Sequence, residues 1–281
     1  MIRSLTGDDF KGQKYYLGWG SVFSPDPELM HNEVKFDVLH THDIFSRDLG
    51  GSYTSSTEIG PQVNATTVRN HWSRISEGMT SEDMFVQYSS GHGMQTGLGI
   101  GVSYNEMRDA VLAMPVKEAI VFTMACYSGN LVAAFDKVRD RWSDWEAQGR
   151  TLFVMSSSTT RQTSSTGPGQ DADQPGSPNG SAGSAFGHSL WKALIGYADG
   201  WIDGVKDGYL TLDEITQFVK WKTRLIGRHD PMITGTWNPG LIINRVPPKS
   251  FIESLEHSTE NLSDEQIMVL AGRLNESMRV Q

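Results

Sequence analysis

Ala119-Ile120-Val121-Phe122-Thr123-Met124-Ala125-Cys126-Tyr127-Ser128-Gly129 is an apolar, β-branched run that stops in a small-residue turn. A segment apolar on both faces reads as a strand in the middle of a sheet covered on both sides. The turn that ends it carries the only cysteine of the chain, Cys126. Upstream, Met84-Phe85-Val86-Gln87-Tyr88 has the same character and ends in Ser89-Ser90-Gly91-His92-Gly93. A thiol and an imidazole therefore stand at the exits of two successive strands, where open α/β sheets place their chemistry.

Each residue has a plain structural reading. Free cysteines are commonly buried and inert, and a histidine in a glycine-rich turn is usually structural or merely exposed. Their pairing points elsewhere, because cysteine with histidine is the minimal nucleophile–base pair. A helix follows Cys126, and a helix N-terminus favours an anion. Gly91 and Gly93 leave room for a substrate backbone beside His92, and the amides of Gly93 and Cys126 are candidates for an oxyanion hole.

Working outward, the pattern alternates strands and helices. Tyr15 to Phe23, Val34 to Leu39, Asp83 to Ser89, Ala119 to Met124 and Thr151 to Ser156 read as strands. Thr66 to Ile75, Asn105 to Ala113, Gly129 to Gln148, Ser184 to Tyr197 and Leu212 to Arg224 read as helices. Gly50 to Thr66 reads as a turn-rich surface loop. Alternation of this kind implies an α/β fold with a mostly parallel sheet and helices on both faces. Residues 156–184 are almost all small or polar and lack periodicity, which predicts a long loop. Beyond residue 246 a polar tail, 247–281, holds one more expected helix, Ser263 to Met278, opened by the capping-box sequence Ser263-Asp264-Glu265-Gln266. The expected division is a domain over 1–246 and a helical tail that offers a surface to a regulatory protein partner.

The chain has 281 residues, a formal net charge of −9 and a pI near 5.3, which argues against nucleic acid or an anionic membrane as partner. A single cysteine excludes an internal disulfide. The N-terminus lacks the apolar core of a signal peptide, and no apolar run reaches the length of a membrane span. The expected setting is cytoplasmic.

The blocks Ser89-Ser90-Gly91-His92-Gly93 and Ala125-Cys126-Tyr127-Ser128-Gly129 resemble the two signature blocks of the caspase-like cysteine peptidases, which include caspases, metacaspases and legumain. Ala65 to Asn70 with Ser81-Glu82-Asp83 resembles the helix and lead-in before the histidine strand. Thr151 to Ser158 resembles the strand lining the primary specificity pocket, and Gly183 to Leu190 the helix start after the long loop. The likeness runs from about Tyr15 to Asn244. It implies a three-layer caspase-like sandwich and a peptidase acting on protein or peptide substrates. Cys126 would be the nucleophile and His92 the general acid–base, with a thioester acyl-enzyme between two half-reactions. By the same resemblance Met124, Ser156, Ser157 and Ser158 would meet the substrate. Met124 departs from the acidic or amide residue usual two positions before the nucleophile, so none of the family's side-chain preferences carries over. Two rivals remain: a catalytically silent scaffold that binds a protein, and a transpeptidase or ligase that passes the acyl group to an amine.

Asp203-Gly204-Val205-Lys206-Asp207-Gly208-Tyr209-Leu210-Thr211-Leu212-Asp213-Glu214 spaces its oxygens like a twelve-residue calcium loop. Asp203, Asp207, the Tyr209 carbonyl, Thr211 and Glu214 would be the ligands of Ca2+, a regulator and not a requirement of the chemistry. Val205 stands where a further ligand is expected, and the competing reading is an acidic turn that caps the next helix. His40-Thr41-His42-Asp43 would put two imidazoles on one face of a strand end, though no partner cluster accompanies them. Gly91 to Gly101 matches neither a phosphate loop nor a dinucleotide fingerprint and reads as a flexible active-site rim. No Gly-x-Ser-x-Gly elbow occurs. Trp142 and Trp145 read as core residues, with Arg139, Asp140, Arg141 and Asp144 solvated around them.

Overall fold

The computed structural model describes residues 10–21, 27–46, 53–60, 62–164 and 183–249. The expected tail helix Ser263 to Met278 and most of the long loop lie outside the described residues. The strands are β1 (Lys14–Gly20), β2 (Tyr53–Ile59), β3 (Met84–Ser90), β4 (Gly97–Leu98), β5 (Val102–Ser103), β6 (Glu118–Met124), β7 (Thr151–Ser156), β8 (Tyr209–Thr211), β9 (Met232–Thr236) and β10 (Ile242–Arg245). The α-helices are α1 (Pro27–Ser46), α2 (Ala65–Ser76), α3 (Tyr104–Ala113), α4 (Gly129–Asp136), α5 (Ala185–Lys192) and α6 (Leu212–Gly227). Six strands form one sheet in the order β2-β1-β3-β6-β7-β9. Every pairing in it is parallel except β7 with β9.

Alternation along the central strands builds two cores. Met84, Val86 and Tyr88 of β3, with Ile120, Phe122 and Met124 of β6, face the layer that holds α1, α5 and α6. Phe85, Ala119 and Val121 face the opposite layer, which holds α2, α3 and α4. All these residues are buried, as continuous apolar runs in a doubly covered sheet require. The architecture is the expected three-layer α/β sandwich.

Three expectations are corrected. Val34 to Leu39 is not a strand but the middle of α1, whose first residue is Pro27, a position that suits proline's fixed φ. Its inward positions, Val34, Asp37, Val38, Thr41, Ile44 and Phe45, follow the helical period. Two of them are polar, which hid the period from a scan for apolar residues. Tyr53 to Ile59, read as loop, is the edge strand β2, paired among the described residues only to β1. Its hydroxyls have partners: Ser56 Oγ lies 3.0 Å from His71 Nδ1 and Thr57 Oγ1 lies 2.6 Å from His42 Nδ1. The expected helix to Gln148 ends at Asp136 and continues as short 3-10 turns, Arg139–Arg141 and Glu146–Gln148. Trp142 and Trp145 are buried there, as their sequence suggested.

His40 and His42 lie on α1, so two residues apart they do not share a face. His40 stacks on Trp191 at 5.0 Å while His42 meets Thr57. Burial pulls His40 down to about 3 and His42 down to about 4, so both imidazoles are neutral. Among the described residues no group of three or more metal-ligating side chains converges.

Asp37 ties the layers together at the carboxyl end of the sheet. Its carboxylate accepts from Ser90 Oγ (2.9 Å), Ser184 Oγ (2.7 Å) and the Ser184 amide (2.9 Å). Glycine at 183 and 187 is required by the approach of this group: a Cβ at Gly187 would sit 2.0 Å from Asp37 Oδ1. Burial pushes the Asp37 carboxyl from 3.8 up to about 6, against the opposing pull of the Ser184 and Ser90 donors. A folded pKa above the unfolded one means that the native state binds the extra proton between the two values. Raising the pH from about 4 to about 6 should therefore remove stability through this residue, by roughly 3 kcal/mol at most. Urea unfolding of wild type and Asp37→Asn across that window checks this. The stability difference should shift against the wild type as pH rises, and a difference independent of pH contradicts it.

Candidate active site

The pairing register of two strands positions the site. β3 and β6 run parallel with Ser90 opposite Met124 as their last pair. The Gly91 amide donates to Met124 O at 3.1 Å, carrying the pairing one step past the strand end. His92 lies two residues beyond Ser90, and Cys126 two residues beyond Met124. Both leave adjacent strands at the same level. Ser89 Oγ donates to Thr123 Oγ1 at 3.0 Å and pins the same register from the side chains.

After β6 the chain turns sharply. Tyr127 has φ 57°, a left-handed conformation that costs a non-glycine residue and persists only where its surroundings enforce it. The enforcing bonds include the Tyr127 amide to Gln162 O (2.8 Å) and the Asn130 side chain to Thr160 O (3.2 Å). Gly129 opens α4 so close to the following loop that a Cβ would lie 2.5 Å from the Thr160 nitrogen. Cys126 is half-buried, with Sγ 3.9 Å from the Ser164 carbonyl oxygen.

Gly93 lies against the nucleophile turn. A Cβ there would come within 2.0 Å of Cys126 O and 2.8 Å of Ala125 Cβ, so only glycine fits. Among the described residues, no backbone carbonyl accepts from the amide of Gly93 or of Cys126. The His92 carbonyl accepts from the Gly99 amide at 2.8 Å, and the residue lines a small cavity with Trp19, Ser21, Leu98 and Ile100. His92 Nε2 is buried and has no hydrogen-bond partner among the described residues. Tyr104, at the start of α3, brings its hydroxyl 3.4 Å from Cys126 O. Burial first, and the neighbouring Cys126 second, hold the Tyr104 phenol well above its ordinary value, so it stays a donor.

Ser156, Ser157 and Ser158 are brought to the turn from behind and are fully buried. The Ala125 amide donates to Ser157 Oγ (3.2 Å), and Ala125 O accepts from Ser157 Oγ (3.2 Å), Ser158 Oγ (3.1 Å) and Ser164 Oγ (2.8 Å). Ser128 closes the ladder through Ser157 Oγ (3.1 Å) and Ser158 Oγ (3.2 Å). Ser156 Oγ donates to Ser158 O. Met124 is buried in the core on the α1 side. In this structure Ser157 and Ser158 bond the peptide that precedes Cys126, Ser156 bonds Ser158, and Met124 packs in the core. Sequence reasoning missed Tyr104, Ser128, Gln162 and Ser164. Only Ser128 sat in a quoted motif, and the others carry no local signal because their partners are distant in sequence.

The 203–214 segment forms a self-capped turn. Glu214 accepts from the Gly200 amide (2.9 Å), the Thr211 amide (3.1 Å) and Thr211 Oγ1 (2.7 Å), completing a capping box for α6. Asp203 and Asp207 accept from the amides two residues on, Val205 and Tyr209. Asp199, outside the expected set, binds the Asp207 and Gly208 amides. One oxygen each of Asp203 and Asp207 and both of Glu214 thus accept from backbone amides, and among the described residues no group of three or more His, Cys, Asp or Glu side chains converges.

No family model matches the chain. No curated protein matches it by sequence. Solved structures do. Protein GSU0716 from Geobacter sulfurreducens aligns at TM-score 0.52 and 14% identity, over 83% of this chain and 97% of that one. Caspase-1 from Spodoptera frugiperda aligns at TM-score 0.51 and 12% identity, over 83% of this chain and 91% of that one. The fold is caspase-like. No helix among the described residues is long and apolar enough to cross a membrane.

The placement of Ser157 gives a test. Ser157→Ala strips the Ala125 amide of its buried partner and should lower unfolding stability by about 1–3 kcal/mol. Denaturant unfolding reads this. Unchanged stability would mean that the hydroxyl does not brace the turn.

Proposed function

We propose that the chain is a cysteine endopeptidase, with Cys126 as nucleophile and His92 as general acid–base. The observation that carries the reading is the β3–β6 register, which delivers both residues to the same end of neighbouring strands. A caspase-like fold is a scaffold suited to protein substrates, and His92 Nε2 is not engaged by any hydrogen-bond partner among the described residues.

The reaction then runs in two halves. The Cys126 proton passes to His92, and sulfur attacks the carbonyl carbon of the scissile peptide bond. Negative charge gathers on the carbonyl oxygen, where the amides of Gly93 and Cys126 are the donors on offer. Collapse breaks the C–N bond, and His92 gives its proton to the leaving amine. A thioester on Cys126 remains. His92 next takes a proton from water as that water attacks the thioester, and the returning proton frees the thiol and the acid product. Tyr104 and the serines behind Ala125 keep the Cys126 carbonyl and the preceding peptide fixed throughout.

Purified wild type, Cys126→Ala and His92→Ala incubated with a proteome-derived peptide library provide the test, read by mass spectrometry of new termini. Wild type should cleave, and each variant should lose the activity by a factor on the order of 10^3 or more. Equal product from wild type and Cys126→Ala rules the nucleophile out, peptide joined to an added amine marks a transferase, and silence from all three moves the reading to a binding scaffold.

A further inference from the structure

Seven large hydrophobic side chains are well exposed among the described residues, and six of them fall between positions 197 and 225. Tyr197 is 57% exposed, Trp201 40%, Trp221 45% and Leu225 60%. Tyr197, Trp201 and Trp221 cluster around Phe218 and are not scattered. Trp201 lies 4.8 Å from the Trp221 ring and 5.0 Å from Phe218, and Phe218 roots the group in the core. Phe218, Trp221 and Leu225 follow one another at helical spacing along α6. A concentrated apolar patch of this kind marks a binding surface.

The chain itself supplies an occupant. Val246 N donates to Gly208 O at 2.9 Å, and the Val246 side chain lies where a Cβ on Gly196 would fall, 2.6 Å from Cγ1. Gly196 is the neighbour of Tyr197, so the chain leaves the described structure at the border of the patch. Beyond it, Ile267, Leu270, Ala271, Leu274 and Met278 repeat at the spacing of one helical face, behind the capping-box start at Ser263. The residues between Lys249 and Ser263 reach up to ~43 Å when extended, against ~24 Å for the length of α6. Charge agrees as well. From residue 250 on, the tail carries Glu253, Glu256, Glu260, Asp264, Glu265 and Glu276 against Arg273 and Arg279, while the C-terminal half of α6 and its cap carry Lys220, Arg228 and Arg224, the last paired with Asp230.

We propose that the apolar face of residues 263–278 docks in cis on the aromatic patch formed by Tyr197, Trp201, Trp221 and Leu225. A tether this short raises the local concentration of the tail far above that of a second molecule, which favours the intramolecular contact. The inference does not depend on the catalytic reading.

Hydrogen exchange of the full chain, followed by mass spectrometry at two protein concentrations, tests it. The comparison is Leu270→Glu/Leu274→Glu, which changes only the tail, together with Trp221→Glu on the patch. In wild type the amides of 263–278 should exchange at least roughly tenfold slower than in the tail variant, at either concentration. Residues 221–225 should lose protection in the tail variant, and the tail should lose it in Trp221→Glu. Identical tail exchange in wild type and the tail variant overturns the proposal. So does protection that rises with concentration alongside a dimeric mass, which assigns the patch to a second copy. Tail protection untouched by Trp221→Glu, with the domain still folded, places the tail elsewhere and also overturns it.

Discussion

The parallel pairing of β3 with β6 is the constraint on which the site depends. Parallel strands share a direction, so two central neighbours deliver their following residues to the same edge of the sheet. His92 and Cys126 each follow the Ser90–Met124 pair by two residues, and the Gly91–Met124 hydrogen bond prevents slippage at the last step. A slip of one residue would do more than move the pair. It would turn Met84, Val86 and Tyr88 toward the wrong core and Phe85 toward the other. The two packed cores therefore enforce the same register that the site requires.

Around that register the structure spends buried polar groups on backbone geometry. The hydroxyls of Ser128, Ser157, Ser158 and Ser164 satisfy the peptide around Ala125, just before a left-handed Tyr127. Asp37 does the corresponding work at Ser90, just before Gly91 and His92, and at the first turn of α5. Buried polar networks of this kind are costly when incomplete and rigid when satisfied. Both halves of the candidate pair thus rest on closed networks, one reached from β7 and the other from α1.

The sequence displays the central strands and the candidate pair because their signals are local. β3 and β6 are uninterrupted apolar runs ending in small residues, and their position in a doubly covered sheet follows from that pattern alone. The edge was less legible. β2 offers hydroxyls where a buried strand would offer carbon, and its partners His42 and His71 come from helices on opposite layers. α1 was misread because Asp37 and Thr41 occupy inward positions whose value depends on distant partners. The serines after β7 show the same limit: their motif does not reveal that they are buried or that Ser157 and Ser158 bond Ala125. The 203–214 loop has the spacing of ligands, yet its carboxylates are taken by amides, including one, Gly200, that the spacing did not involve.

In the proposed function the register makes Cys126 and His92 one chemical unit. Because Cys126 is the only cysteine, alkylation by iodoacetamide near neutral pH reports on it alone. The second-order rate should be measured for folded wild type, urea-unfolded wild type and folded His92→Ala. If imidazole and thiol act together, the folded wild type reacts roughly tenfold or more faster than the unfolded chain, and removing His92 abolishes that advantage. A folded rate no faster than the unfolded one, and unchanged by His92→Ala, would show two residues that are neighbours in register and strangers in chemistry.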